Sequence, residues 1–217
     1  MSEIMKVLEI IGTIAFAISG ALAAIGSGLD VFGVAFVGCI TAFGGGIVRD
    51  LILGITPPSI FNNFPMFFLA LITTIIVFIV AYINRKKFNA LRVKIEHINN
   101  FFDALGLAAF TVIGSEVGFI NGFSDNGFII VVIGMITGVG GGIFRDILTD
   151  TTPYVFKKHI YALATIFGAV LYLMLRRYID NVPFISILPM ILVFVIRMLA
   201  TIFRWSLPKV RIDDKND

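Results

Sequence analysis

What most limits the folds open to this chain is a series of seven apolar runs, at residues 7–27, 31–54, 64–83, 100–120, 127–149, 160–175 and 182–203. Runs of this length are too long for buried strands, and they match the roughly 20 residues a helix needs to cross a bilayer. Seven such helices consume about 140 positions and leave only short loops and tails. Composition agrees, since 58% of the 217 residues are hydrophobic and 14% are charged, against about one quarter charged in an average soluble domain. The sequence therefore predicts an all-α membrane protein with seven transmembrane helices and the lipid bilayer as its solvent.

The charges are arranged by topology. Arg85, Lys86, Lys87, Arg92 and Lys94 follow the third run, Lys157 and Lys158 follow the fifth, and Arg204, Lys209, Arg211 and Lys215 follow the seventh. All fall on one face, whereas the other face has Lys6, Arg176 and Arg177. By the positive-inside rule the rich face is cytoplasmic, the amino terminus lies outside and the carboxyl terminus inside. Net charge +3 thus reads as membrane topology, and no nucleic-acid partner is expected. Ala21-Leu22-Ala23 could imitate a signal-peptide cleavage site, but Glu3 and Glu9 replace the positive cluster such a signal needs, so the first run is expected to stay. One cysteine, Cys39, rules out an internal disulfide framework and a cysteine metal cluster. Residues 211–217 read as a short polar tail.

The chain also repeats itself. Residues 38–57 align without gaps on 134–153, with eleven of twenty positions identical. Among them are Thr41 with Thr137, the glycine triplets Gly44-Gly45-Gly46 and Gly140-Gly141-Gly142, Arg49-Asp50 with Arg145-Asp146, and Thr56-Pro57 with Thr152-Pro153. Upstream, after a two-residue shift, Glu9, Gly12, Ala15, Phe16 and Gly20 meet Asp103, Gly106, Ala109, Phe110 and Gly114. Each copy holds three spans, an odd number, so the second must thread the membrane in the opposite sense. The expected organisation is an inverted 3+3 repeat, residues 1–90 and 91–180, with a seventh helix and tail at 181–217. Transporters and related proteins use this architecture, with the working site at the repeat interface near the midplane.

The glycine triplets have two readings. Gly46 lies about 22 Å along a helix starting at Val31, inside a hydrocarbon core about 30 Å thick. Three glycines there would break the second and fifth helices and expose backbone groups to a pore or substrate. Alternatively they let helices approach closely. Matching Arg and Asp residues after both triplets favour the pore reading. An arginine in a span costs at least about 2.5 kcal/mol unless it meets a partner, water or the interface by snorkelling. Asp50 and Asp146 lie about 100° around the helix from their neighbouring arginines, so each Asp is expected to pair across the repeat.

Other intramembrane charges are Arg197, as a clamp on carbonyls or a pore-lining group, and Glu116 near the end of the fourth span. Glu9 and Asp103 read as helix amino-terminal residues, or as charges at a pore mouth. His97 and His159 fall in basic loops, with no metal site and no cofactor expected. Neither a nucleophile–base pair nor a phosphate loop emerges, because the glycine triplets lack the Lys-Ser or Lys-Thr ending. An enzyme is not expected.

Two copies of Gly-Gly-Gly-x-x-Arg-Asp with a downstream Thr-Pro, set in a three-plus-three-plus-one pattern, resemble the prokaryotic trimeric intracellular cation (TRIC) channel family, over nearly the whole chain. The resemblance implies a homotrimer in the prokaryotic inner membrane, each protomer enclosing its own pore for monovalent cations, chiefly potassium. It implies that Gly44, Gly45, Gly46, Gly140, Gly141 and Gly142 are kink residues, and that Arg49, Asp50, Arg145, Asp146 and Arg197 neighbour the path or its gate. The lysine motifs of the lipid- and calcium-regulated eukaryotic relatives have no counterpart here. The same bacterial group carries a second implication, transport of glycine or other small amino acids. Half-helix amino ends would favour a carboxylate and exposed carbonyls a cation, which leaves both open. A purely structural role would not account for the paired glycine and Arg-Asp motifs.

Overall fold

Every predicted run forms a helix. The computed structural model describes residues 2–90, 92–157, 160–179 and 182–205. Its long helices are α1 (Glu3–Gly26), α2 (Val31–Ile52), α3 (Phe64–Ile83), α4 (Arg92–Gly118), α5 (Gly127–Leu148), α6 (Ile160–Tyr178) and α7 (Val182–Ile202). All seven are long and apolar enough to cross a membrane. No strand occurs among the described residues. The largest boundary difference is at α4, which starts at Arg92 rather than near residue 100, because the basic stretch continues the same helix. Lys158, His159 and residues 206–217, with Lys209, Arg211, Lys215 and the expected tail, lie outside the described residues.

Polarity is distributed for a lipid solvent. Helix α3 has neither charge nor glycine and is the least buried of the seven, turning Phe68, Ile72, Ile76 and Val80 outward. Helix α4 is the most buried although it carries Asn99, Asn100, Asp103, Thr111 and Ser115, all of them buried. Lipid tails are as apolar as leucine, so apolar burial gives no reason to turn α3 inward, while buried polar groups must find one another. Helix α4 accordingly packs on α1, α5, α6 and α7. The seventh helix, which has no counterpart in the duplication, lies against α4 and α6.

The crossings are reciprocal. A Cβ on Gly45 would stand 2.2 Å from the Thr137 carbonyl oxygen, and one on Gly141 would stand 2.0 Å from that of Thr41. Only glycine permits this approach of α2 to α5. At the α1–α4 crossing, Gly12 faces Phe110 and Gly106 faces Phe16, with the two rings 5.3 Å apart. In both places residue and partner exchange roles according to the alignment of the two halves.

Neither α2 nor α5 is broken at its triplet, which corrects the expectation of broken second and fifth helices: both stay helical through residues 44–46 and 140–142. Each glycine still costs about 1 kcal/mol of helix propensity. Backbone-to-backbone packing offsets this, and each helix keeps its hydrogen-bonded ladder instead of exposing it to lipid. Just before the triplets, Thr41 Oγ1 donates to Val37 O at 2.6 Å and Thr137 Oγ1 donates to Ile133 O at 2.7 Å, so these hydroxyls are satisfied within their own helices.

Candidate functional site: two buried arginine–aspartate clusters

The ends of α2 and α5 prepare the two sites. Gly54 follows α2 at φ 73° and Asp150 follows α5 at φ 51°, both in the left-handed region. The next N–H closes back onto the helix, Ile55 N donating to Asp50 O and Thr151 N to Asp146 O, each at 2.8 Å. Such a cap turns the chain sharply off the helix axis. The returning loop then reaches the aspartate side chains: Ser59 N donates to Asp50 Oδ2 at 2.7 Å, and Tyr154 N to Asp146 Oδ2 at 2.8 Å.

With one carboxylate oxygen held by the loop, the other takes the preceding arginine. Arg49 Nε and Nη2 lie 2.8 and 2.7 Å from Asp50 Oδ1. Arg145 Nε and Nη2 both lie 2.8 Å from Asp146 Oδ1. This corrects the expected pairing across the repeat. The 100° separation of neighbours is overcome because the long arginine chain wraps around the helix toward a carboxylate that the loop has already oriented. Snorkelling is excluded too, since Arg49 is 8% exposed and Arg145 1%.

The second cluster is larger. Arg145 Nη1 donates to Asp103 Oδ1 and to Ser19 Oγ, each at 2.6 Å, and Tyr161 Oη donates to the same Asp103 oxygen at 3.0 Å. Ser19 Oγ in turn donates to Asn99 Oδ1 at 2.8 Å. Arg197, 1% exposed, stacks over the Tyr161 ring at 4.6 Å and approaches Asp103 Oδ2 at 3.9 Å. Two guanidinium groups thus meet two carboxylates, the condition under which buried charge is tolerable. The Tyr154 ring covers Arg145 at 5.1 Å. Burial pushes the Tyr154 hydroxyl up, against the opposing influence of Arg145, so the ring remains neutral.

At the first cluster the position of Asp103 is taken by Glu9, which makes no ion pair with Arg49 and accepts from Asn63 Nδ2 at 3.2 Å. Between them lies a cavity of about 50 Å³ bordered by Glu9, Gly46, Arg49, Asp50, Asn63 and Ile113. Here two carboxylates face one guanidinium. Neither Glu9 nor Asp103 is a helix amino-terminal residue, as had been expected: α1 starts at Glu3 and α4 at Arg92, so both lie within their helices.

Of the six glycines, Gly46 borders the first cavity and Gly142 the second cluster, where a Cβ would stand 2.6 Å from Tyr161 Oη. Gly45, Gly140 and Gly141 form the crossing, and Gly44 packs beneath Phe144. Glu116 sits elsewhere, bonded to Tyr172 Oη and 3.5 Å from Arg176 Nε. Sequence reasoning missed Ser19, Asn63, Asn99, Tyr154 and Tyr161. Among the described residues no group of acids, histidines and cysteine suits a metal ion.

Known proteins share this architecture. A protein-family model described as a glycine transporter matches residues 6–82 and again 100–177, one match on each half. The membrane protein YvgT of Bacillus subtilis is 34% identical over 94% of this chain and 95% of its own length. The inner membrane protein YadS of Escherichia coli is 33% identical over 95% and 96%. Among solved structures, a prokaryotic TRIC channel crystallised in 0.5 M KCl superposes with a TM-score of 0.84 at 33% identity, covering 95% of this chain and all of that one. The TRIC orthologue from Rhodobacter sphaeroides gives 0.83 at 25% identity over 94% of this chain and all of its own.

The chain belongs to the TRIC family. As a TRIC protein it is an all-α membrane protein whose buried charges gather at the two Arg-Asp motifs, with Arg197 of the seventh helix completing the second.

Proposed function

We propose that this protein is a passive channel for monovalent cations, potassium foremost, with a conduction path inside each protomer of a homotrimer and a gate beside the α2–α5 crossing. The observation that carries this reading is the charge imbalance at the first cluster. A small cavity with two carboxylates and one guanidinium attracts a cation, whereas the balanced second cluster neither attracts nor repels one strongly. The likeness to structures described as TRIC cation channels supports the same reading.

The reciprocal glycine contacts support an inverted pairing of residues 1–90 with 91–180, followed by the unit 181–217. The distribution of lysine and arginine supports an outer amino terminus and a cytoplasmic carboxyl terminus in a prokaryotic inner membrane. In that orientation the Arg49 cluster is the outer one and the Arg145 cluster the inner one. Purified protein in a planar bilayer tests the function: unitary potassium current steps are expected, and their absence would refute it. The description of the matching family model favours a second reading, a secondary transporter of glycine or other small amino acids. Saturable glycine counterflow without unitary currents would establish that alternative.

A further inference from the structure

Between the two arginine clusters the contact of α1 with α4 turns apolar. Glu9 and Phe16 lie seven residues apart in α1, as do Asp103 and Phe110 in α4. Seven residues are close to two helical turns, so each acid shares a helix face with its phenylalanine. Those two faces meet, since the Phe16 and Phe110 rings stand 5.3 Å apart. From the first cluster to the second the crossing therefore reads Glu9 beside the small cavity, Phe110 over Gly12, Phe16 over Gly106, and Asp103 with Arg145. Phe110 itself borders the cavity, and Phe16 reaches across to α5, where a Cβ on Gly141 would stand 3.2 Å from its Cε2. Both rings are buried.

We infer that the Phe16–Phe110 pair is the apolar barrier of the conduction path, crossed by ions only when the two rings part and water enters. The inference rests on the channel reading above and gives its gate two named residues. A phenyl ring has no oxygen to replace a cation's hydration shell, and an apolar constriction excludes water and ions together. The dry stretch is short, because Glu9 and Ser19 mark polar ground on either side of Phe16 and lie about 15 Å apart along α1. Each ring is seated on a glycine of the opposite helix, so a separation of α1 from α4 displaces both layers at once.

The test uses the full chain in planar bilayers and compares residues of nearly equal shape and unequal polarity. Phe110→Val and Phe110→Thr remove the same ring, and only the second leaves an oxygen for water and a passing cation. The threonine variant is expected to carry about ten times the time-averaged potassium current of the valine variant, the effect of one added hydrogen-bonding group on a barrier. Phe16→Val and Phe16→Thr repeat the comparison at the second layer, so failure of one pair to assemble leaves the other to decide. At Phe68, which faces outward on α3, the same two substitutions are expected to give equal currents. A mere loosening of the bundle would raise the valine and threonine currents alike. Equal currents within the assembled pairs at Phe110 or Phe16 overturn the inference alone. An unsubstituted chain without unitary currents overturns the channel reading and this inference with it.

Discussion

The two Arg-Asp motifs occupy equivalent positions in the duplicated halves and share one local construction, yet they have different surroundings. Both aspartates are gripped by a returning loop and both arginines wrap back onto them. Beyond that core the second motif meets Asp103, Ser19 and Tyr161, while the first meets a cavity with Glu9 across it. One half therefore uses its charges for cohesion and the other keeps a carboxylate available. A duplicated sequence can divide labour in this way because the helix crossing fixes the backbone, leaving the neighbours of each arginine free to diverge.

The largest expected difference lies at the acid facing each arginine. Asp103→Asn leaves Arg145 and Arg197 with one carboxylate between them inside the protein, and removing one partner from a buried ion cluster costs about 3–5 kcal/mol. Glu9→Gln removes no ion pair and is expected to change stability by less than about 0.5 kcal/mol. Thermal unfolding of both variants in detergent checks the contrast. Equal destabilisation would erase the distinction between a cohesive and an open site.

The third glycine of each triplet gives a smaller effect. Gly142→Ala brings a methyl group to within 2.6 Å of Tyr161 Oη and 3.6 Å of Asp103 Oδ1, whereas Gly46→Ala meets nothing closer than Arg49 Nη2 at 3.6 Å. Overpacking typically costs about 1–3 kcal/mol. Gly142→Ala should fall in that range, and Gly46→Ala should be neutral or slightly stabilising through helix propensity. The same unfolding measurement separates them, and a reversal of the order would mean that the second cluster has room to yield.

Much of this was legible in the sequence. Apolar run length determines all seven helices, and the alignment of residues 38–57 with 134–153 is enough to locate both Arg-Asp motifs. The triplets were misread as breaks because a sequence records the lost propensity of Gly45 and Gly141 but not the carbonyls of Thr137 and Thr41 that their missing side chains admit. Cross-repeat pairing was misread for a related reason: the loop N–H groups of Ser59 and Tyr154 that orient the two aspartates leave no side-chain signature. Asp103 did give a signal, an acid matched to Glu9 in the duplication, but its partners Ser19 and Tyr161 come from other helices and only folding unites them.

The smallest predicted effect bears most directly on what passes the outer cavity. Glu9→Gln keeps an oxygen to accept from Asn63 and changes the cavity from two carboxylates against one guanidinium to one against one. A carboxylate that enriches cations acts through a field with a reach of about 30 Å at 0.01 M salt and about 3 Å at 1 M. The substitution should therefore lower unitary potassium current by about two- to threefold in dilute salt and by much less in concentrated salt. Current–voltage curves at the two concentrations measure this, with the thermal stability of the same variant as the control for folding. A current that is insensitive to Glu9 at both concentrations would mean that ions bypass the outer cavity. An increase in glycine flux instead would mean that the carboxylate had been repelling the carboxyl group of an amino acid, and the open site would then belong to a carrier.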